Sequence, residues 1–187
     1  VLSIFRNRSY LGLVESCNRG LKKAKGEYLV RLDDDDRFMP DALSKLYHGL
    51  QEYDCDLSYS DRYEIDSLTA KKKLVRVGRA NLFRWVAIAT MMRRSILKGI
   101  GGWRPFFWEE YDLYIRFIEA SRKKPCYVKA PLFEYWHHRS NMTSRHDKVQ
   151  KGWRQLIKVW GIEKLRKYGS SVAMEQEYKK MGKVKLR

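Results

Sequence analysis

No apolar run in this chain approaches the roughly 20 residues that a membrane-spanning helix needs. The best candidate, Trp85 to Met92, stops at Arg93-Arg94 and reads as a buried strand. No secretory leader opens the chain. Cysteine is scarce. Cys17, Cys55 and Cys126 are odd in number, far apart and each in an apolar context, which argues against a disulfide framework or a zinc site of close ligand spacing. The expectation is three reduced, buried thiols in a cytosolic compartment. Internal repeats and long linkers are also missing, and 187 residues suit one domain with a real core.

What is present is a folded composition with an unbalanced charge. Apolar residues make up 44% and charged residues 33%, which argues against disorder. The net charge of +17 implies an anionic partner, whether a nucleotide diphosphate, a nucleic acid or an acidic membrane surface. The excess is uneven: from Arg145 to Arg187 thirteen Lys or Arg face four Asp or Glu, giving +9, and the rest of the chain carries +8. For scattered lysines a solvated helical surface is the ordinary alternative.

Periodicity organises the chain into alternating strands and helices. Val1 to Phe5 reads as a core strand, which suggests a chain that starts inside a larger fold. Leu13 to Lys25 reads as a helix, Glu27 to Leu32 as a strand, and Pro40 opens a second helix. Asp56 to Ser60 is a strand. Arg62 to Arg79 is an excursion with a basic tip at Lys71-Lys72-Lys73. Ala87 to Met92 is a strand and Ser95 starts a short helix. After an aromatic loop, Glu109 and Glu110 stand at the start of another helix. Tyr127-Val128 and Leu132 to Trp136 are short strands, and Lys148 to Trp160 is an amphipathic helix. Beyond Gly169 apolar residues thin out and a loosely held basic tail is expected.

Three places invite chemistry. Asp33-Asp34-Asp35-Asp36 follows a strand directly. Four adjacent carboxylates repel one another, and a divalent cation would relieve them. Ligands of open α/β sheets bind beyond the carboxyl ends of strands. An acidic loop that caps the next helix is an equal reading. Glu109-Glu110 is explained by the helix dipole alone, or supplies a general base. His137-His138 lies beyond a strand, where adjacent side chains point opposite ways, so at most one readily reaches a given site.

Together these segments resemble the family 2 glycosyltransferases of GT-A fold, from about Ile4 to Trp160. The resemblance rests on Asn18-Arg19-Gly20, Ala24 to Tyr28 and Leu32 to Asp36, then Ile100-Gly101-Gly102-Trp103 and Glu109 to Leu113. Pro131 to Tyr135 with His138 and Asn141-Met142-Thr143 completes it. It implies an α/β fold, a mixed GT-A-like sheet flanked by helices, with the family's first strands missing. Residues 1–160 would be a partial glycosyltransferase domain and 161–187 a basic helical extension or tail. The family's P-x-x-N strand and its nucleoside-reading acidic element would lie before Val1.

The resemblance also implies roles. Asp33, Asp35 and His138 would hold Mg²⁺ or Mn²⁺, and Asp33, Asp34, Asp36 and Asn18 would contact the donor. Glu110 stands where the family usually has an aspartate base. Trp103, Phe106, Phe107 and Trp108, with Glu109, would meet the acceptor. The implied activity is inverting, metal-dependent sugar transfer from a nucleotide-diphosphate sugar to a glycan or lipid-linked acceptor, in cell-surface or polysaccharide synthesis. The setting would be cytoplasmic, at the inner membrane face if the basic end binds anionic lipid. A basic nucleic-acid-binding module and an inactive truncated scaffold are the competing readings.

Overall fold

The computed structural model describes residues 3–79, 81–85 and 90–184. Its helices are α1 (Leu13–Lys23), α2 (Ala42–Glu52), α3 (Arg94–Gly99), α4 (Glu109–Ser121), α5 (His146–Trp160), α6 (Ile162–Tyr168) and α7 (Val172–Val184). Its strands are β1 (Tyr28–Val30), β2 (Arg37–Phe38), β3 (Leu57–Asp66), β4 (Lys72–Val75), β5 (Thr90–Arg93) and β6 (Cys126–His137). The strands form one mixed sheet in the order β1-β5-β3-β6-β2, with β4 paired to β3. Only β3 and β6 run parallel; the other pairs are antiparallel.

Alternation along the strands feeds two cores. Leu57, Tyr59 and Met92 enter a large cluster with α3 to α7, while Met91, Leu132 and Phe133 pack with Leu46 and Leu50 of α2. A helical layer therefore covers each face of the sheet, as the mixed α/β expectation required. Among the described residues no helix is long and apolar enough to cross a membrane.

Several expectations change. Residues 3–5 form no strand: Ile4 is 85% and Phe5 59% exposed, and no described strand pairs with them. The Ala87–Ala89 part of the expected strand lies outside the described residues, as do Val1 and Leu2. The two short strands near Tyr127 and Leu132 are one strand, β6. Pro131 sits inside it opposite Asp61, at a register shift. Proline cannot donate to the ladder, so pairing breaks locally and then resumes. The basic tip is displaced too: Lys72 and Lys73 pair with Ile65 and Glu64, and the turn itself is closed by Asp66 Oδ1, which accepts from the Leu68 and Thr69 amides.

The loosely held tail is corrected as well. Residues 172–184 form α7, whose Met174 is fully buried in the main core. Glu177, also buried, pairs with Arg154 of α5. Counting apolar residues missed this, because among the few present Ala173, Met174 and Met181 pack on the core beside that ion pair.

The three reduced thiols are likewise overturned. Cys55 and Cys126 form a disulfide across 71 residues of sequence, with Cα atoms 6.1 Å apart, and only Cys17 is free. Parallel pairing of β3 with β6 brings their first residues together, which linear spacing does not reveal. Closing a loop of that length is worth about 4 kcal/mol in the chain-entropy treatment. Cys55→Ala/Cys126→Ala should therefore lower the urea-extrapolated stability by about 2–4 kcal/mol. Intact mass should show two hydrogens fewer in the native protein than after reduction; equal masses would remove the bond.

Candidate active site

The acidic run leaves β1 and turns back toward β6, since Arg37 and Phe38 pair with Glu134 and Phe133. This turn carries Asp36 inward: Asp36 Oδ1 accepts from the Trp136 amide at 2.9 Å. Its other oxygen is buried with no hydrogen-bond partner. Burial, assisted by the charges of Asp35 and Asp33, pushes the Asp36 carboxyl up to about 7 against the pull of the Trp136 amide. Asp34 and Asp35 are exposed.

His138 comes to the same loop from the end of β6. Its Nε2 lies 2.8 Å from Asp35 Oδ2, and its Nδ1 lies 2.7 Å from Ser140 Oγ. Asn141 fixes the turn by accepting from the His138 amide and donating to the Trp136 carbonyl. The imidazole is thus gripped at both nitrogens, which sets its orientation.

Asp33 goes elsewhere. Arg31 binds it through both guanidinium arms, at 2.6 and 2.8 Å, and donates its third nitrogen to Glu109 Oε1 at 3.0 Å. Burial opposes the Arg31 charge, but the hydrogen bond and charge of Asp33, then the charge of Glu109, raise its pKa overall. The expected triad of Asp33, Asp35 and His138 therefore does not converge. Among the described residues no group of three His, Cys, Asp or Glu forms a metal cluster. Asp35 and His138 remain together, one carboxylate and one imidazole, while the unpartnered Asp36 oxygen is buried behind the same loop.

Glu110 is half-buried at the start of α4, beside the buried Glu109. Burial first, then the Glu109 charge, lift its carboxyl well above the ordinary range; Arg31 pulls the other way. Tyr135 of β6 feels the charges of Asp36, Asp35 and Glu110 together. The acid loop and the α4 start therefore lie near the end of β6, and Arg31 ties the first two together.

The turn before α4 fixes where these glutamates stand. Asn18 donates to the Trp103 carbonyl at 2.9 Å and accepts from its amide at 2.8 Å. Arg116 donates to the carbonyls of Ile100 and Gly102 and is itself held by Asp112 at 2.8 Å. Gly102 has φ +71°, and a Cβ there would lie 2.3 Å from Asn18 Oδ1. Asn18 is consequently a strut with both ends of its amide spent, which corrects its expected place at the donor. Trp103 and Trp108 are also corrected. Both are buried, and Trp108 stacks on Tyr111 beside Trp153; they are core rather than an open platform. Phe106 and Phe107 are half-buried against that core. Arg31 and Ser140 were not anticipated. The available signal was a lone arginine in an apolar strand, two residues before an aspartate and so on the same face.

A mixed sheet with an acidic turn at its edge is the architecture of the GT-A glycosyltransferases. TarS of S. aureus, residues 1–349 in complex with UDP-GlcNAc, superposes with TM-score 0.56 and 12% identity, over 75% of this chain and 45% of that one. A further crystal structure of TarS residues 1–349 gives 0.52 and 11%, over 83% and 49%. An uncharacterised glycosyltransferase of Haemophilus influenzae is 24% identical over 166 residues, covering 80% of this chain and 56% of the relative. This chain belongs to glycosyl transferase family 2, whose model matches residues 1–117. It spans about half the length of the curated relative it matches.

Breaking the Arg31 bridge leaves Glu109 buried and unpaired. Arg31→Ala should cost about 3 kcal/mol or more, read as a fall in the urea midpoint. An unchanged midpoint would mean that the bridge adds no net stability.

Proposed function

We propose that this chain forms the cleft in which a sugar passes from a nucleotide-diphosphate donor to an acceptor hydroxyl, with inversion and in the presence of Mg²⁺ or Mn²⁺. The observation that carries this reading is the Asp35–His138 contact, together with the Arg31 bridge that ties the same loop to the start of α4. It joins three motifs that lie far apart in sequence. The TarS structure holding UDP-GlcNAc supports a nucleotide-diphosphate donor.

Asp35 and His138 would hold the cation, with diphosphate oxygens of the donor completing its shell. A bound divalent ion supplies charge neutralisation on the departing diphosphate. Asp34 lies exposed beside them for donor contacts. Asp33, committed to Arg31, acts through position rather than ligation. Glu110 takes the acceptor proton as the acceptor oxygen bonds to the anomeric carbon and the bond to the diphosphate breaks. A carboxyl raised by burial is a stronger base than an exposed one, and the best base titrates near the working pH. One base and one in-line displacement give inversion.

The acceptor in this reading is a glycan or lipid-linked sugar of cell-surface or polysaccharide synthesis, met at the inner membrane face. The +9 charge of residues 145–187 supports that setting, since each basic residue near an anionic leaflet contributes about 1 kcal/mol.

Two measurements on the full-length protein test the reading. Glu110→Gln should cut kcat by about 100-fold or more while calorimetric donor binding persists; full activity would move the base to Glu109 or Asp112. Because the Glu110 pKa is raised, its base form accumulates only as pH climbs past the ordinary carboxylate range. The acid limb of kcat/KM should therefore lie above that range and vanish in Glu110→Gln. Separately, chelation should abolish donor binding measured by calorimetry, and Asp35→Ala should do the same without added chelator. Donor binding that survives both would remove the cation from the reading.

A further inference from the structure

A second concavity lies at the opposite end of β6. It is a groove of about 530 Å³ between the last turn of α2 and the first residues of β6, with Arg79 at its margin. Val128 and His138 are ten residues apart along an extended strand, so the groove and the cleft are separated by roughly 30 Å. The groove is built rather than incidental. Gly49 forms part of its lining, where a Cβ would come within 2.8 Å of Val128 Cγ2. The Cys55–Cys126 bond pins the two walls immediately beside it.

The lining combines cations with tyrosine rings. Arg79 and Lys129 are exposed, and neither makes an ion pair among the described residues. Lys45 already pairs with Asp41 at 2.5 Å. Glu52 is the one carboxylate of the lining, and the Tyr53 hydroxyl is hydrogen-bonded to it. Tyr127 donates its hydroxyl to the buried Asp61 at 2.7 Å and packs its ring against Tyr59, so it borders the groove without offering an open face. Tyr53 is 56% exposed. His48 adds charge when protonated.

We infer that this groove is a binding site for an anionic sugar, its phosphate or carboxylate held by Arg79 and Lys129 and its ring set against the exposed Tyr53. Guanidinium and ammonium groups without protein partners bind oxyanions strongly. Aromatic faces accept the C–H faces of a sugar ring, and a pocket of this volume fits a discrete group. An anionic leaflet would instead meet a convex polybasic surface, so the concavity favours the sugar. The inference does not require the cleft to be active, because it concerns binding alone.

The test is calorimetric titration of the whole chain with a hexose 6-phosphate. Saturable binding is expected, weakened about tenfold or more in Arg79→Ala/Lys129→Ala, with both side chains exposed and the far-ultraviolet dichroism unchanged. Lys179→Ala on α7 should bind like the parent, and so should Asp35→Ala, which separates this site from the cleft. The uncharged hexose should bind at least about tenfold more weakly. Absence of saturable binding would overturn the proposal, as would loss of binding in Asp35→Ala. Equal affinity for inorganic phosphate would reduce the groove to a simple anion site and likewise overturn it. So would phosphatidylglycerol vesicles whose binding needs Arg79 and Lys129 while the hexose phosphate fails to bind.

Discussion

A buried guanidinium between two carboxylates holds the acidic loop to the first turn of α4. Arg31 directly follows β1 and Glu109 lies 78 residues on, yet the two side chains meet at 3.0 Å. Charges taken out of water persist only when paired and hydrogen-bonded, and here Asp33 and Glu109 share one partner. The position of Asp35 and Asp36 follows from this, because their loop starts at Asp33. The position of Glu110 follows too, because its neighbour is tied. Asn18 and Arg116 act on the other side of the same junction, gripping the Gly101-Gly102-Trp103 turn so that α4 enters at one angle.

The elements of the sheet and its helices were largely legible, because amphipathic spacing and strand runs report local burial. α1, α2, α4 and α5 begin within two residues of where the pattern puts them. What could not be read was contact between distant segments. The Cys55–Cys126 bond depends on the parallel pairing of β3 with β6, and no linear spacing rule contains that. Trp103 and Trp108 look like a sugar platform in sequence, since an aromatic loop before a helix is equally consistent with exposure and with core. The burial of Trp103 and the packing of Trp108 against Tyr111 and Trp153 decide the matter. The docking of α7 was missed because composition averages out the few residues, Met174 with Ala173 and Met181, that seat it on the core.

The candidate site was legible as a set of segments but not as a set of contacts. Asp35 and His138 do meet, as the order of the motifs implies. Asp33 does not join them, because Arg31, two residues before it just past β1, captures it first. A bidentate guanidinium with short, nearly buried bonds outcompetes a looser convergence of carboxylates on an imidazole.

The electrostatics of the cleft run against those of the whole chain. A protein of net charge +17 sets the carboxylates of Asp33 and Glu109 on one half-buried arginine, with Asp34, Asp35, Asp36 and Glu110 adjoining them in sequence. The chain does not relax this by pairing: its excess lysines lie elsewhere, and the Asp36 and Glu110 carboxyls are left raised by burial and mutual repulsion. Such an arrangement costs stability, since carboxyls raised in the folded state take up protons that the unfolded chain would release. That cost grows as pH rises above the ordinary carboxylate range. A folded chain tolerates it most readily where function needs it: an incoming cation would lower those carboxyls, and an incoming hydroxyl proton would find Glu110 ready to accept it. The same site that weakens the fold at neutral pH is therefore the place where a cation and a nucleophile would be most strongly received.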